Sequence, residues 1–429
     1  MIHQKGVKTM RKNARIVNLP DAPADYRTNT IQMFESAKGA YLYAVQKQYI
    51  DINNGKGSVI LGHNDEDINK CLSDIVKCER NIHTGPTTII GQLSDLILAD
   101  YKDKIDSISY FTTGTSACRA AVNVAREYSG KKIILSAGYH GFDLMWKQSD
   151  NFLEQNEYGV IDFYFIPSLL SECIEKYRNQ IALVIFSPDY IYLKPETLIK
   201  IIEISKEADI LVCCDDVKQG YRYCKGTSLD SINGESVDLY TNSKGLANGY
   251  RLSCLLGNGK LMKNSSKFTF TSYYDMIPYY IALTSLLKMN QVDGYKLISS
   301  VGEELFTDFN ILFRKYEIPI MAIGKGPTFQ FVAANDELEE LFNQACFENE
   351  IVIYEGDNQN ISCAFDKNVV SELQKRMEQV CIQLQDAKGN VADQKISSER
   401  IFKSAINMMD GAADIGSVDD KIRWLKEIL

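Results

Sequence analysis

The sequence predicts an α/β protein with two parts: a large domain on a mostly parallel sheet covered by helices, and a smaller α+β domain. Composition is the first observation, since 45% of the 429 residues are hydrophobic and 24% are charged, which is usual for globular proteins. The second is that short apolar runs alternate with amphipathic helical segments from residue 66 to residue 297, as in parallel sheets whose strands are joined by helices. The third is that this alternation stops near residue 298.

Residues 1–65 are predicted to be an N-terminal segment that belongs to the smaller domain. From residue 38 to residue 63, the sequence KGAYLYAVQKQYIDINNGKGSVILGH alternates apolar and polar side chains around an Asn-Asn-Gly sequence. Because Asn and Gly favour tight turns, this segment predicts antiparallel strands with their turn at Asn-Asn-Gly.

Residues 66–297 are predicted to form the large domain. Each apolar run has the length of a buried strand, and the helical segments between the runs have one apolar face. The predicted strands are SISYF, KKIILS, IDFYFIP, IALVIFS, DILVCCD, VDLYTNS and LSCLLGN, and the clearest helices are SACRAAVNVAREY and ETLIKIIEISKEA. Seven such strands predict one sheet, with ligands at the carboxyl ends of its strands.

Residues 298–385 predict the smaller α+β domain, and residues 386–429 predict an appended helical tail to which no chemistry is assigned. The smaller domain has a helix in GEELFTDFNILFRKYE, strand-like runs in IVIYE and ISCAF, and a second helix with one apolar stripe. The stripe consists of Val369, Val370, Leu373, Met377, Val380, Cys381 and Leu384.

Charge and rare residues exclude several classes of function. A net charge of −9 argues against nucleic acid or an anionic membrane as a partner, so we expect small-molecule partners. The eleven cysteines include no CxxC pair and the four histidines have no metal-ligand spacing, so we expect reduced cysteines and no metal site. No apolar stretch reaches membrane-spanning length and no apolar core follows the basic start, which predicts a cytoplasmic protein without a signal peptide.

The most informative residues are Lys244, in TNSKGLANGY, and Asp215, which ends the apolar run DILVCC. A lysine that is linked covalently to an aldehyde cofactor needs a carboxylate partner that keeps the cofactor's pyridine nitrogen protonated. The pair therefore indicates pyridoxal phosphate. Taken singly, each residue also fits an ordinary role, since many loop lysines are solvated and many strands end in an aspartate that caps a helix or forms a turn.

Five further positions fit such a cofactor. Gly114 and Thr115 stand between a predicted strand and a helix, where free backbone N–H groups bind a phosphate, although a simple helix cap explains them as well. Tyr139 follows the next strand and Val217 lies just after the aspartate, so each can cover one face of a flat ring; for Tyr139, packing at a loop corner is the alternative. Thr271 is a hydroxyl ahead of an apolar helix and by itself fits a cap.

The order of these pieces resembles that of the class III aminotransferases, which are pyridoxal phosphate enzymes of fold type I. The shared motifs are Gly-Thr before a helix, Tyr-His-Gly, Asp-Asp-Val followed by Gly-Tyr-Arg, Ser-Lys in a glycine-containing loop, and a threonine before a helix. The resemblance is stronger to the branch typified by glutamate-1-semialdehyde aminomutase. DDVKQGYR matches that branch's DEVxxGFR, and residues 38–63 match its N-terminal KGAYLxDxDGxxYIDxxxGxGxxxLGH.

The resemblance covers residues 35–385 and implies a role for each position. The lysine would hold pyridoxal 5'-phosphate covalently, and the aspartate would bind its ring nitrogen. Val217 and Tyr139 would enclose the ring, and Gly114 and Thr115 would bind the phosphate. Thr271 would reach the phosphate of the neighbouring subunit, which implies a homodimer with shared active sites.

The chain also departs from the family's pattern. Ser116 and Asp216 stand where glutamate is usual, and Ser187 replaces the glutamate of a Glu-Pro pair. Arg251 stands where many members have proline, and no C-terminal arginine motif of the kind that binds an α-carboxylate is evident. None of these positions belongs to the cofactor core, so we expect them to influence the choice of substrate.

The resemblance implies an aminotransferase that moves an amino group from an amino donor to a ketone or aldehyde of a small polar metabolite. An intramolecular aminomutase of the glutamate-1-semialdehyde type is the alternative. A third interpretation, from another class, is a structural or regulatory subunit that binds the cofactor without turnover. Arg222 and Arg251 are the candidate residues for binding an anionic part of the substrate.

Overall fold

The computed structural model describes residues 34–102, 104–147, 149, 153–268, 275–386 and 395–408. Its strands form three sheets, with the helices packed around them. The strands are β1 (Ser36–Lys38), β2 (Tyr41–Ala44), β3 (Lys47–Asp51), β4 (Ser107–Phe111), β5 (Ile133–Ala137), β6 (Val160–Asp162), β7 (Ile181–Phe186), β8 (Leu211–Asp216), β9 (Leu239–Asn242), β10 (Ser253–Gly257), β11 (Ile320–Lys325), β12 (Thr328–Ala333), β13 (Ile351–Val352) and β14 (Gln359–Asn360). The α-helices are α1 (Asn54–Gly57), α2 (Glu66–Lys77), α3 (Thr88–Leu98), α4 (Gly114–Ser129), α5 (Pro167–Tyr177), α6 (Pro195–Glu207), α7 (Gly259–Met262), α8 (Ile277–Gln291), α9 (Gly294–Lys315), α10 (Asp336–Glu348), α11 (Lys367–Asp386) and α12 (Ser398–Met408).

The large sheet has seven strands in the order β4-β10-β9-β8-β7-β5-β6. Strand β10 pairs antiparallel with β4 and with β9, and the remaining pairs are parallel. The carboxyl ends of β5, β7, β8 and β9 therefore meet at one edge of the sheet, where α/β proteins bind their ligands. The predicted fold class is confirmed, and each of the seven predicted strands corresponds to a strand of this sheet.

Both faces of the large sheet are buried under helices. Along β7, Val184 and Phe186 pack into one apolar core, while Leu183 and Ile185 pack into another on the opposite face. Successive side chains of a strand point to opposite faces, so a strand covered on both sides reads as a continuous apolar run. Full burial of each such side chain contributes about 1.5–3 kcal/mol. Within the described ranges, no helix is both long enough and apolar enough to cross a membrane.

The two smaller sheets and helices α9, α10 and α11 enclose a further core. One sheet has the order β1-β2-β3-β13 and the other the order β11-β12-β14. Since β3 pairs in parallel with β13, the N-terminal strands join residues from the C-terminal third of the chain. All seven residues of the apolar stripe predicted on α11 are buried. The predicted domain boundaries stay a prediction.

Two local predictions are wrong. The β2–β3 pair turns at Val45 and Gln46, not at Asn-Asn-Gly, because Ala44 pairs with Lys47. The Asn-Asn-Gly sequence instead follows β3, where the Asp51 carboxylate accepts hydrogen bonds from the two asparagine N–H groups at 2.9 and 3.0 Å and so turns the chain into α1.

The second concerns the run ISCAF, at residues 361–365, which forms no strand. Its apolar ends, Ile361 and Phe365, fill the core from a loop. The hairpin of β11 and β12 stands in its place as the main part of the three-stranded sheet and was not predicted.

Candidate active site

A cavity of about 460 Å³ lies at the carboxyl edge of the large sheet. Its walls come from the loops that follow β4, β5, β7, β8 and β9, together with residues of the N-terminal segment and of the segment between β13 and β14. Seven of the site residues predicted from the sequence line it: Gly114, Thr115, Tyr139, Asp215, Val217, Lys244 and Arg251. The fold therefore brings together residues that are far apart in the sequence.

Lys244 is the second residue after β9 and begins a short 3-10 turn that ends at Ala247. Its φ is +35°, a left-handed value that costs a non-glycine residue of order 1–3 kcal/mol and is found mainly at functional sites. Desolvation lowers the pKa of the amine to about 7, and the cation of Lys218 adds to this lowering, while Asp357 and Asp215 oppose it. A large fraction of such an amine is uncharged near neutral pH, and only the uncharged form attacks a carbonyl carbon.

Asp215 lies near the end of β8 and is 1% exposed. Its Oδ1 accepts hydrogen bonds from Thr241 Oγ1 at 2.8 Å and from the Val217 N–H at 3.1 Å, and its Oδ2 lies 2.7 Å from His140 Nδ1. The register of the sheet explains the first contact, because Asp215 pairs with Thr241 across β8 and β9. Three partners thus fix the orientation of a buried carboxylate at the cavity wall.

Cys118, His140 and Asp215 form a group whose potential metal-ligand atoms all lie within 4.8 Å of one another. Burial raises the pKa of the Cys118 thiol well above its usual value. The Cys118 Sγ lies 3.6 Å from Thr241 Oγ1. The histidine and the aspartate of this group are hydrogen-bonded to each other.

Gly114 begins α4, and its neighbour Thr113 caps the helix by accepting a hydrogen bond at 3.1 Å from the N–H three residues on. A Cβ on Gly114 would lie 2.6 Å from Val217 Cγ1, and a Cβ on Gly141 would lie 2.0 Å from Thr115 Oγ1. Both glycines are therefore required by close approach. The first turn of α4 leaves backbone N–H groups without helical partners, and such a turn at a cavity wall suits an anion.

Tyr139 and Val217 line the cavity from different loops, after β5 and after β8. The Tyr139 ring is partly exposed and packs edge-to-face on Phe142, with 5.5 Å between ring centroids. Val217 packs against Gly114 at the start of α4. Thr271 lies outside the described residues.

Together these residues fit pyridoxal phosphate. The group has an aldehyde, a ring nitrogen that needs a carboxylate, and a phosphate that needs N–H donors. The cavity offers the amine of Lys244, the oriented carboxylate of Asp215 and the first turn of α4. A side chain larger than hydrogen at Gly114 would collide with Val217, so the start of α4 packs directly against the loop after β8.

Arg222 is not brought to this site. Within the part of the chain that is described, it is fully buried and does not line the cavity. Its Nε donates to the Lys218 carbonyl at 3.2 Å and its Nη2 donates to the Gly57 carbonyl. The side chain joins two backbone segments, and binding of substrate by Arg222 stays a prediction. Arg251 does line the cavity, at an exposed position.

Sequence reasoning missed three residues that shape the site. Thr241 donates a hydrogen bond to Asp215. In the sequence, only its hydroxyl near the end of the adjacent predicted strand indicates this role. Lys218 follows Val217 directly, so its place in the sequence DDVKQGYR could have predicted that it lies near the site. Asp357 comes from the segment between β13 and β14, and nothing in the sequence predicts its approach to the cavity.

No family model matches the chain. It is 26% identical over 319 residues to 2'-deamino-2'-hydroxyneamine transaminase of Streptomyces kanamyceticus, covering 73% of this chain and 81% of that protein. It is also 26% identical over 340 residues to glutamate-1-semialdehyde 2,1-aminomutase of Francisella philomiragia, covering 72% and 76% of the two chains. A solved structure of a transaminase with pyridoxal phosphate bound superimposes on the protein with a TM-score of 0.75 at 18% sequence identity. The superposition covers 84% of this chain and 93% of that chain.

The structural similarity establishes the fold, which is that of the pyridoxal-phosphate-dependent transferases of fold type I. The sequence relatives include both aminotransferases and glutamate-1-semialdehyde aminomutases. These similarities support the class III aminotransferase family, with pyridoxal phosphate as its cofactor.

Proposed function

We propose that this protein is a pyridoxal-phosphate-dependent aminotransferase of class III, which moves an amino group from an amino donor to a ketone or aldehyde of a small polar metabolite. The observation that supports this most is that Lys244 and Asp215 line one cavity, the first with a lowered amine pKa and the second held by three partners. The activities named for the sequence relatives agree with it.

When bound, pyridoxal phosphate supplies an electron sink that stabilises negative charge on the carbon that carries the amino group. Lys244 Nζ would hold the group through its aldehyde, and the same amine is placed to accept and return the proton of the donor's α-carbon. Asp215 would keep a proton on the ring nitrogen, and Thr241 orients that carboxylate. The N–H groups at Gly114 and Thr115 would bind the phosphate.

The outer part of the cavity supports a polar second substrate. Ser187, Asp189 and Gln219 line it, and the last two side chains are almost completely buried. Gln219 Oε1 has no hydrogen-bond partner within the described residues. Since an unpartnered buried acceptor is unfavourable, a hydroxyl or N–H of the substrate is a suitable donor for it.

Isotope transfer tests the aminotransferase against the aminomutase. We expect an amino donor labelled with ¹⁵N to pass its label to a different carbon skeleton when a carbonyl acceptor is added. The donor alone should release one keto product per active site and then stop, because the two half-reactions are separate. Mass spectrometry of the products measures both.

The same experiment gives a different result for each of the two other interpretations, the aminomutase and the non-catalytic subunit. Label that is retained entirely in isomers of the donor would favour the aminomutase. A cofactor absorption band that no amine donor bleaches, across a broad panel of donors, would favour a structural or regulatory subunit. The donor without an acceptor is the control for both.

We also propose a homodimer with shared active sites. Tyr139, Phe142 and Leu144 are 39%, 84% and 69% exposed, and the first two line the cavity. Large apolar side chains clustered at the surface commonly mark protein interfaces. Since all eleven cysteines are unpaired, a reducing compartment such as the cytoplasm agrees with the expected location.

Sedimentation tests the dimer. We expect the wild type to sediment as a dimer at micromolar concentration, and the Phe142→Ser/Leu144→Ser variant to dissociate at higher concentrations than the wild type does, because it buries less apolar surface. Tyr128→Ser, at another exposed aromatic residue, is the control. A monomeric wild type that remains fully active on dilution would contradict the proposal.

A further inference from the structure

The outer wall of the cavity contains an ion pair that the cofactor chemistry does not use. Lys218 Nζ donates to Asp357 Oδ1 at 2.8 Å, which joins the loop after β8 to the segment between β13 and β14. The two side chains are 21% and 31% exposed. Both residues line the cavity that Lys244 lines. The pair is therefore half-buried and still accessible from the cavity.

The segment around Asp357 is held in place on several sides. The Asp357 Oδ1 also accepts a hydrogen bond from the Asn358 N–H at 2.6 Å. Gln330 Nε2, on β12, donates to the Gly356 carbonyl at 3.2 Å. Lys56 Nζ lies 4.6 Å from the centroid of the Tyr354 ring. Because its partner is fixed, Lys218 is fixed as well, with its ammonium at the cavity wall.

Lys218 lies within electrostatic reach of the reacting amine. After desolvation, its cation is the largest cause of the lowered pKa of Lys244. Although burial opposes it, Lys218 also lowers the pKa of Asp357, with a smaller contribution from Lys244. In an α-amino acid the carboxylate is attached to the carbon that carries the amino group. A donor whose nitrogen takes the place of Lys244 Nζ therefore has its carboxylate in the cavity that Lys218 also lines.

We propose that Lys218 binds the α-carboxylate of an amino-acid donor, with Asp357 as the residue that positions it. This inference rests on the proposed function and names the class of donor. An ammonium has three N–H donors, and the described contact with Asp357 uses one of them. A carboxylate at a half-buried cation is bound more strongly than at an exposed one, where water weakens the attraction.

The other cations of the cavity are less suited to this role. Arg251 is exposed. The Lys56 ammonium lies against the Tyr354 ring, and Lys244 is the reacting amine. Arg222 donates to two backbone carbonyls through its Nε and Nη2 and does not line the cavity. Lys218 thus provides the positive charge that a C-terminal arginine motif would otherwise supply.

Matched donors test the proposal on the cofactor-loaded wild type and on Lys218→Met, which keeps the length of the side chain and removes its charge. The donors are L-alanine and L-alaninamide, which differ in the charge of one group, and the measurement is the bleaching of the cofactor's absorption band in single turnovers. We expect Lys218→Met to raise the apparent Kd of alanine about 10- to 100-fold, the loss of one hydrogen bond to a charged group. The apparent Kd of alaninamide should change much less than that of alanine, because the altered pKa of Lys244 affects both donors equally, and Lys218→Arg should restore alanine binding.

A binding experiment gives a second readout that does not depend on turnover. Isobutyrate is alanine with a methyl group in place of the amino group, so it cannot react. Calorimetric titration should show isobutyrate binding to the wild type and to Lys56→Met, a lysine control from the same cavity, but not to Lys218→Met. Asp357→Asn should keep isobutyrate binding, because the Lys218 cation remains and a neighbouring negative charge is removed.

Three results would overturn the proposal. If Lys218→Met weakened the binding of alanine and of alaninamide equally, Lys218 would only join the loop after β8 to the segment between β13 and β14. If Lys56→Met also weakened alanine binding but not alaninamide binding, the overall charge of the cavity would matter, and not Lys218 in particular. A loss for 4-aminobutyrate relative to butylamine, without a loss for alanine, would place Lys218 at a distal carboxylate. Failure of the proposed function itself looks different, because then none of the donors would bleach the cofactor's absorption band in the wild type.

Discussion

Replacement of Lys244 by alanine should abolish covalent attachment of pyridoxal phosphate and stop turnover. In the proposed function one amine makes the bond to the cofactor and also moves the proton, so both functions should be lost together. We expect the rate to fall by at least about 10³-fold, since positioned acid–base catalysis alone contributes 10²–10⁴-fold. The measurement is borohydride reduction of the loaded protein, followed by peptide mapping and an absorption spectrum. In the wild type the reduced adduct should map to the peptide that contains Lys244.

Lys263→Ala is the matched control, because this lysine is exposed at the end of α7 and does not line the cavity. It should load and turn over like the wild type. The assignment of Lys244 would be wrong if the alanine variant kept the wild-type cofactor spectrum and the reduced adduct mapped to another lysine. The test is strict because Lys56 and Lys218 also line the cavity, so that peptide mapping can detect an adduct on either of them.

The large sheet could be predicted from the sequence because its strands are buried on both faces. Such strands read as continuous apolar runs whatever their neighbours are, as IALVIF in β7 does. The hairpin of β11 and β12 gives no such signal, because β11 alternates buried and half-buried residues and the loop Gly326–Pro327 is short. The ISCAF run misled for the opposite reason, since a loop that fills a core is as apolar as a strand.

The site was predictable where it depends on the sheet and not where it depends on packing between distant segments. Residues that end parallel strands meet at one edge, so Asp215 and Lys244 were expected to lie close together. The Lys218–Asp357 pair crosses between two parts of the chain, and no local pattern reports such an approach. Arg222 shows the converse, because an arginine inside a recognisable motif turned out to brace backbone carbonyls.

Two adjacent aspartates, Asp215 and Asp216, end β8, and buried carboxylates favour a nearby cation. Their side chains have separate environments. Asp216 accepts hydrogen bonds from Thr227 Oγ1 at 2.6 Å, from the Ser228 N–H at 2.9 Å and from Ser228 Oγ, with no cation among these partners. Burial raises its pKa to about 6 in spite of these bonds. Only Asp215 lines the cavity, so the argument for a cationic ligand applies to that residue alone.

Replacement of Asp215 by asparagine should preserve the fold and much of the cofactor affinity but lower the rate by about 100-fold or more, as when a preorganised electrostatic contact is removed elsewhere. The amide oxygen can still accept hydrogen bonds from Thr241 and from the Val217 N–H. A neutral amide cannot hold a proton on the ring nitrogen, so the ring withdraws electrons less well. The measurement is the single-turnover rate with a saturating donor, alongside the unfolding temperature and the Kd for the cofactor.

Thr241→Val is the matched control for the asparagine variant. It removes one hydrogen bond from the Asp215 carboxylate while keeping the negative charge and the shape of the side chain. We expect it to lower the rate much less than Asp215→Asn does, because charge and not orientation alone keeps the ring nitrogen protonated. If the two variants were equally slow, orientation by the hydrogen-bond network would be the main contribution. If Asp215→Asn turned over at nearly the wild-type rate, Asp215 would be a residue that only ends β8 and turns the chain.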